Sequence, residues 1–259
     1  MKTNNQTATV QNKAWVFGVI SCALILWEVC VRVKIINPFY SSQPSVIFFD
    51  FYHFAVTGEM FIHLMITLKE ALGGLFFGTL AGILFGVVLG RIKWIADILL
   101  PIITALYGIP KLALAPIFIL WFGLGMESKI FISALLVFYL VFFSTFEGIR
   151  SVDADIVSAI RLMGANPYQI FRRVILPSCI PWILTGIRGG IGASLLGAIV
   201  GEYMGASAGL GWMVQYATTT YQIERVMSCL LVLLLMGLVF NKGLSFCEGR
   251  LLKWRPENR

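Results

Sequence analysis

Thirteen carboxylates, twenty cationic side chains and two histidines are what this chain of 259 residues offers for chemistry. None of them falls into a catalytic spacing. There is no GxxxxGK[ST] to cradle a nucleotide's phosphates. HExxH, CxxC, GxSxG and paired carboxylates at helical spacing are likewise missing. His53 and His63 stand too far from other ligands to suggest a metal centre. Cys22, Cys30, Cys179, Cys229 and Cys247 sit in or beside apolar runs, which fits neither a disulfide framework nor a metal cluster. GASAGLG at 205–211 resembles a nucleotide loop only superficially, because a helical run precedes it where a strand is required. The expectation is a non-catalytic chain with no cofactor of its own. If it takes part in energy-driven work, another chain supplies the engine.

The elements that carry these residues are dictated by composition. The chain is 58% hydrophobic and 13% charged, with a mean hydropathy of +0.85; soluble domains carry about 25% charged residues. An all-α polytopic membrane protein follows, forming a single transmembrane domain over 1–259. About six spans are predicted: 15–31, 61–89, a bent block at 95–124, 130–146, 180–204 and 226–246, with the core spans within 61–247. The polar N-terminus lacks a small-residue cleavage site before the first run, which reads as an uncleaved span and not a signal peptide. Residues 46–54 are expected as an interfacial helix, and 121–129 as a tight connection.

The net charge of +7 would suggest nucleic acid in a soluble protein, but beside spans it sets orientation. Lys2, Lys13, Arg91, Lys93, Arg150, Arg161, Arg172, Arg173, Lys242, Arg250, Lys253, Arg255 and Arg259 fall on one side. Only Arg32, Lys34, Lys129 and Arg225 fall on the other. Both termini and the 150–176 loop are therefore expected in the cytoplasm of a plasma-membrane protein.

Inside the spans, Gly78, Gly82, Gly86 and Gly90 recur every four residues and mark a face for close helix packing. Lys69 and Glu70 are expected at an interface, and so is Glu28. Lys111, in a proline-broken block, has two readings: it lines or gates an aqueous path, or it reaches the interface. Arg188 also has two: a path or gate residue, or half of an ion pair with a carboxylate near the cytoplasmic end. Glu202 and Tyr203, at the outer end of their span, are placed to brace the 205–211 loop or to face outward.

The longest internal polar stretch, 150–186, reads as a helix ending at Gly164 and a second short helix begun by Asn166-Pro167, with Gln169 completing a near capping box. Pro177 then opens the next span. Two short helices broken at a glycine between spans suggest a docking element.

The segment SAIRLMGANPYQIFRRVILP resembles the cytoplasmic loop signature of ABC-importer permease subunits: Glu-Ala-Ala, three residues, Gly, nine residues, Ile or Val, one residue, Leu-Pro. Ala159, Gly164, Val174, Leu176 and Pro177 match it; Ser158 stands at the glutamate and Ile160 at the second alanine. The stretches 103–125, 176–192, 201–214 and the LLKWRP tail are similar to the nitrate/sulfonate/taurine-type branch, so that the resemblance covers about 67–256. Lys111 departs from that branch, which usually has a second proline or another uncharged residue there.

The resemblance implies a type I ABC importer permease fold with a cytoplasmic coupling helix, working as a homodimer. Its partners would be two ATPase subunits using ATP-Mg and an extracytoplasmic binding protein. Coupling would fall to Ser158, Ala159, Arg161, Gly164, Ala165, Arg172, Arg173 and Pro177, with Asp153 and Asp155 as further charges. Glu202, Tyr203, Gly205 and Gly209 would lie near the binding protein. The implied solute is a small anion, a sulfonate such as taurine or nitrate; some relatives serve pyrimidine precursors. An ion-coupled secondary transporter would instead show inverted repeats with mid-membrane acids, and no such pairing is visible.

Overall fold

The computed structural model describes residues 3–252. Lys2, Lys253, Arg255, Arg259 and most of the LLKWRP tail lie outside the described residues, as does the side chain of Lys13. The chain is helical throughout: α1 Thr3–Arg32, α2 Pro44–Val56, α3 Glu59–Arg91, α4 Lys93–Tyr107, α5 Ala115–Phe122, α6 Met126–Arg150, α7 Ala154–Leu162, α8 Pro167–Ile170, α9 Leu176–Gly205, α10 Leu210–Thr219 and α11 Ile223–Leu251. Among the described residues, four helical stretches are long and apolar enough to cross a bilayer: Glu59–Arg91, Met126–Arg150, Pro167–Gly205 and Ile223–Leu251. A fifth arises if Lys93–Tyr107 and Lys111–Phe122, bent by 80°, count as one span. The bend is the one expected from the prolines of the 95–124 block: Pro110 has no N–H to carry a helix forward, and a 3-10 turn, Lys111–Leu114, restarts it.

The chain divides into two compact units. The smaller contains residues 1–61 and 214–231. Here Glu28 bridges Arg32 (2.8 Å) and both the backbone N–H and hydroxyl of Ser45, fixing the start of α2 where the interfacial helix was expected. Arg225 clamps Asp50 through Nε and Nη2 at 3.0–3.1 Å, reaches Glu59 at 3.3 Å and covers the Phe54 ring. A forked guanidinium on a carboxylate fixes direction as well as distance, and α2 is thereby tied to the start of α11.

The larger unit contains residues 62–213 and 232–259 and is built around α6. One side of α6 meets the glycine face of α3. A Cβ on Gly74 would lie 2.1 Å from Ser133, one on Gly78 2.5 Å from the Ala134 carbonyl, and one on Gly86 2.7 Å from Thr145. A second glycine face, on α9, meets α6 along the same residues, Ser133, Val137 and Val141. A Cβ on Gly186 would lie 2.9 Å from Ser144, and one on Gly197 2.6 Å from the Ser133 backbone. Backbones this close permit polar stitching across the helices, and the Ser133 hydroxyl donates to the Ser194 carbonyl at 2.7 Å. The period-four glycines of α3 thus do what their spacing predicts. The matching face on α9 is legible only in hindsight, because its spacing is less regular.

Replacing Gly78 with Val forces side-chain atoms into the α6 backbone. Overpacking of this kind costs about 1–3 kcal/mol, and a lowered thermal unfolding midpoint in detergent is the expected result. Gly243→Ala on α11, where nothing lies within 4 Å, should leave the midpoint unchanged or slightly raised.

Candidate functional site

The loop between α6 and α9 is preorganised by local chemistry. Asp153 caps α7, its carboxylate accepting the Asp155 N–H at 2.8 Å. At the other end Gly164 adopts φ +89°, its N–H bonds the Arg161 carbonyl, and the next N–H, of Ala165, bonds Ile160. This paired closure with a left-handed residue is a Schellman stop, which favours glycine. Asn166 and Gln169 then exchange side-chain and backbone bonds at 2.8 and 2.9 Å, completing the expected capping box over Pro167.

The second short helix is not separate from the span. α8 passes through a π turn, Phe171–Ile175, straight into α9, so that Pro167–Gly205 is one run of 39 residues. The widened turn is closed by the Leu176 N–H reaching back five residues to Phe171. It sits just before Pro177, where a tighter ladder would crowd the proline ring. Pro177 is therefore inside the run and does not begin it. Ser158, Ala159, Arg161, Gly164, Arg172 and Arg173 are exposed, and Ala165 and Pro177 are half-buried. Leu162 and Met163 stand out at 89% and 85% exposure. Among the described residues no intrachain ion pair involves Asp153, Asp155, Arg161, Arg172 or Arg173. Arg91 anchors the base of the loop, with its guanidinium 4.4 Å over the Phe171 ring.

At the far end of α9 lies a cluster of buried polar groups. Glu202 is fully buried; it accepts from the Thr67 hydroxyl at 2.6 Å and from the Gly211 N–H at 2.5 Å. Thr67 in turn accepts the Leu210 N–H at 2.9 Å, and His63 Nδ1 accepts the Gly209 N–H at 3.0 Å. His63 also stacks on Trp212, 5.4 Å between ring centres. Glu70 is buried as well, and its Oε2 has no hydrogen-bond partner among the described residues. Lys129, 1% exposed, donates to the carbonyls of Leu124 and Gly205, both at 2.5 Å. His63, Thr67 and Glu202 fix the 205–211 loop by accepting from its backbone N–H groups where α10 begins, and Lys129 holds the Gly205 carbonyl. Glu202 thus braces the loop, with Gly209 buried beside it, while Tyr203 is exposed and Gly205 half-buried.

One expectation is corrected here: Glu70, expected at an interface, is buried; Lys129, counted among the outer charges, is buried too. In an apolar setting charged groups persist where partners surround them, and α3, α6 and α9 supply those partners. The missed residues had a signal: His63, Thr67 and Glu70 continue the spacing of the glycine face upstream, on the side of α3 that packs inward.

Arg188 pairs with Glu248 of α11, as one of its two readings anticipated. Lys111 borders an open cavity of about 500 Å³ between the α4–α5 bend, α6 and α9.

Comparison with known proteins agrees with this architecture. The family model described as "Binding-protein-dependent transport system inner membrane component" matches residues 74–246. A putative aliphatic sulfonates transport permease protein of Bacillus subtilis is 34% identical, over 93% of this chain and 88% of that protein. A formylaminopyrimidine transport permease protein of Halalkalibacterium halodurans is 31% identical, over 90% of this chain and 93% of its own length. Among solved structures, an inward-facing methionine ABC transporter aligns with a TM-score of 0.62 at 21% identity, over 74% of this chain and 93% of that one. The fold is an all-α, multi-pass membrane permease fold. The chain belongs to the family of binding-protein-dependent transport system inner membrane components, within the nitrate/sulfonate/taurine-type branch, and its role is that of a non-enzymatic ABC-importer permease.

Thr67→Val keeps the shape of the side chain but strands the Leu210 N–H and one oxygen of Glu202. A buried unsatisfied polar group costs about 1–3 kcal/mol, so the variant should unfold at a clearly lower temperature, whereas Thr67→Ser should stay near wild type.

Proposed function

We propose that the chain moves a small anion, such as an aliphatic sulfonate, taurine or nitrate, across the plasma membrane by alternating access. It works as a homodimer beneath an extracytoplasmic binding protein. Two ATPase subunits, which use ATP-Mg, dock on the 150–176 loop. The observation that carries this reading is the loop itself: an exposed helix, a Gly164 stop, and a second helix continuous with a 39-residue span. A push on α7 reaches α9 with no flexible joint beyond Ala165. Exposed Leu162 and Met163 supply an apolar knob, and the unpaired Asp153, Asp155, Arg161, Arg172 and Arg173 supply charges for the partner. These charges take over from the glutamate that Ser158 replaces.

In this reading 1–259 is one transmembrane domain of six spans, with residues 15–31 of α1 as the first and the bent α4–α5 pair as the third. Both termini lie in the cytoplasm, as the balance of Lys and Arg favours. The 30 residues of α9 extend about 45 Å, so that Tyr203, Gly205 and Gly209 lie at the end away from the loop; in this reading that end faces the binding protein. The sulfonate permease relative supports the anion; the formylaminopyrimidine permease relative supports a heteroaromatic precursor as the second reading. Calorimetric titration of the partner binding protein with both solute classes separates the two.

Gly164→Val places a β-branched side chain at φ +89°, where nothing crowds it but the backbone itself resists. The dimer should assemble normally, while solute-stimulated ATP hydrolysis by the reconstituted complex is lost. Stimulation equal to wild type would sink the coupling role of this loop.

A further inference from the structure

We infer that the cavity beside Lys111 is a solute subsite built for an organic monoanion, with Lys111 holding its charged head and the α6 and α9 walls covering its apolar body. This rests on the importer reading above and narrows its solute. The cavity, about 500 Å³, is the size of a small-ligand site and is lined chiefly by Tyr107, Lys111, Leu136, Leu140, Ala193 and Leu196. Its lining contains one cation and no acid.

The position of that cation follows from the fold. The 80° break at Pro110 puts Lys111 at the first residue of a 3-10 turn, and its side chain folds back over the end of α4. The ammonium donates to the Tyr107 carbonyl at 2.6 Å, with the Ile109 carbonyl at 3.5 Å. It also lies 4.2 and 4.6 Å from the centres of the Tyr107 and Tyr139 rings. Carbonyls and ring faces steady a cation without neutralising it. Among the described residues no carboxylate lies within ion-pair distance of it. A net positive charge thus remains beside apolar walls, and at least one N–H is free for a charge-assisted bond to an incoming anion.

The walls sort the candidates. Nitrate has no apolar body with which to cover Leu136, Leu140 and Leu196. Taurine brings an ammonium toward Lys111 with no lining acid to receive it. A neutral heteroaromatic leaves the lysine without a counter-charge. An alkyl or aryl anion satisfies both the cation and the walls.

The test uses the complete importer (permeases, ATPases and binding protein) in proteoliposomes, with butanesulfonate, methanesulfonate and nitrate as probes. Wild type should import butanesulfonate. Lys111→Met should cut its maximal uptake at least tenfold, and Lys111→Arg should hold it within threefold. Leu196→Trp, which narrows the apolar wall, should reduce butanesulfonate uptake several-fold more than methanesulfonate uptake. Butanesulfonate uptake by Lys111→Met within twofold of wild type overturns the inference, as does an equal loss of both sulfonates in Leu196→Trp. A wild-type complex that imports nitrate or a neutral solute but neither sulfonate overturns it too, and leaves the importer reading standing. An ATPase that answers to no loaded binding protein overturns the importer reading itself.

Discussion

The closeness with which three helices pack depends on having no side chain where they touch. α6 runs between glycine faces on α3 and α9, and at several of those glycines even a methyl group would fall within 3 Å of the neighbouring helix. In a bilayer the lipid is as apolar as the core, so the hydrophobic effect gives little reason for helices to prefer each other. Contact area and polar bonds must supply the preference. Removing side chains from the two helices that face α6 supplies both at once: the backbones come within dispersion range, and Ser133 reaches a carbonyl on α9. The polar cluster at the end of these helices and the cavity at the α4–α5 bend are both framed by α6, so the glycine contacts set their geometry.

Much of this was legible in the sequence. Hydropathy located α3, α6 and α11 to within a few residues, but the run expected at 180–204 begins at Pro167 and the stretch 15–31 is not among the four long apolar helices; proline placement announced the broken α4–α5 pair. The period-four glycines of α3 named their own packing face, and the Asn166-Pro167-Gln169 spelling gave the capping box. These are local features whose energetics are decided within a turn or two of the chain. What was not legible depended on pairs far apart. Glu70, Lys129 and Glu202 are 59 and 73 residues from one another along the chain, and nothing in any one segment says that three charged residues are buried together. Hydropathy alone places each at a membrane surface, because that is where a lone charge is cheapest. Glu202 is held there by the Thr67 hydroxyl and the Gly211 N–H, and Lys129 by the carbonyls of Leu124 and Gly205. The same holds for Arg188, whose partner Glu248 lies 60 positions away.

Rigidity is distributed unevenly along the chain. Where the 205–211 loop could have been mobile, His63, Thr67 and Glu202 hold its N–H groups in place. Where the 150–176 loop could have been a slack connection, a Schellman stop and a capping box follow each other within six residues. Both loops are tied down by local hydrogen bonds.

The wide turn at Phe171–Ile175 bears on how such a chain can change over evolutionary time. An α-helix advances about 100° per residue, so one extra residue accommodated in a π turn resets the rotational phase of everything on either side of it. The exposed face of α8 and the face that α9 offers to α6 are set by separate stretches of sequence, joined at a point that tolerates an odd residue. A single insertion or deletion there could re-aim the loop without unseating Gly186, Gly190 or Gly197 from their places against α6. The turn divides one continuous helix into two parts that can vary independently: one exposed to its surroundings, the other constrained by packing against α6.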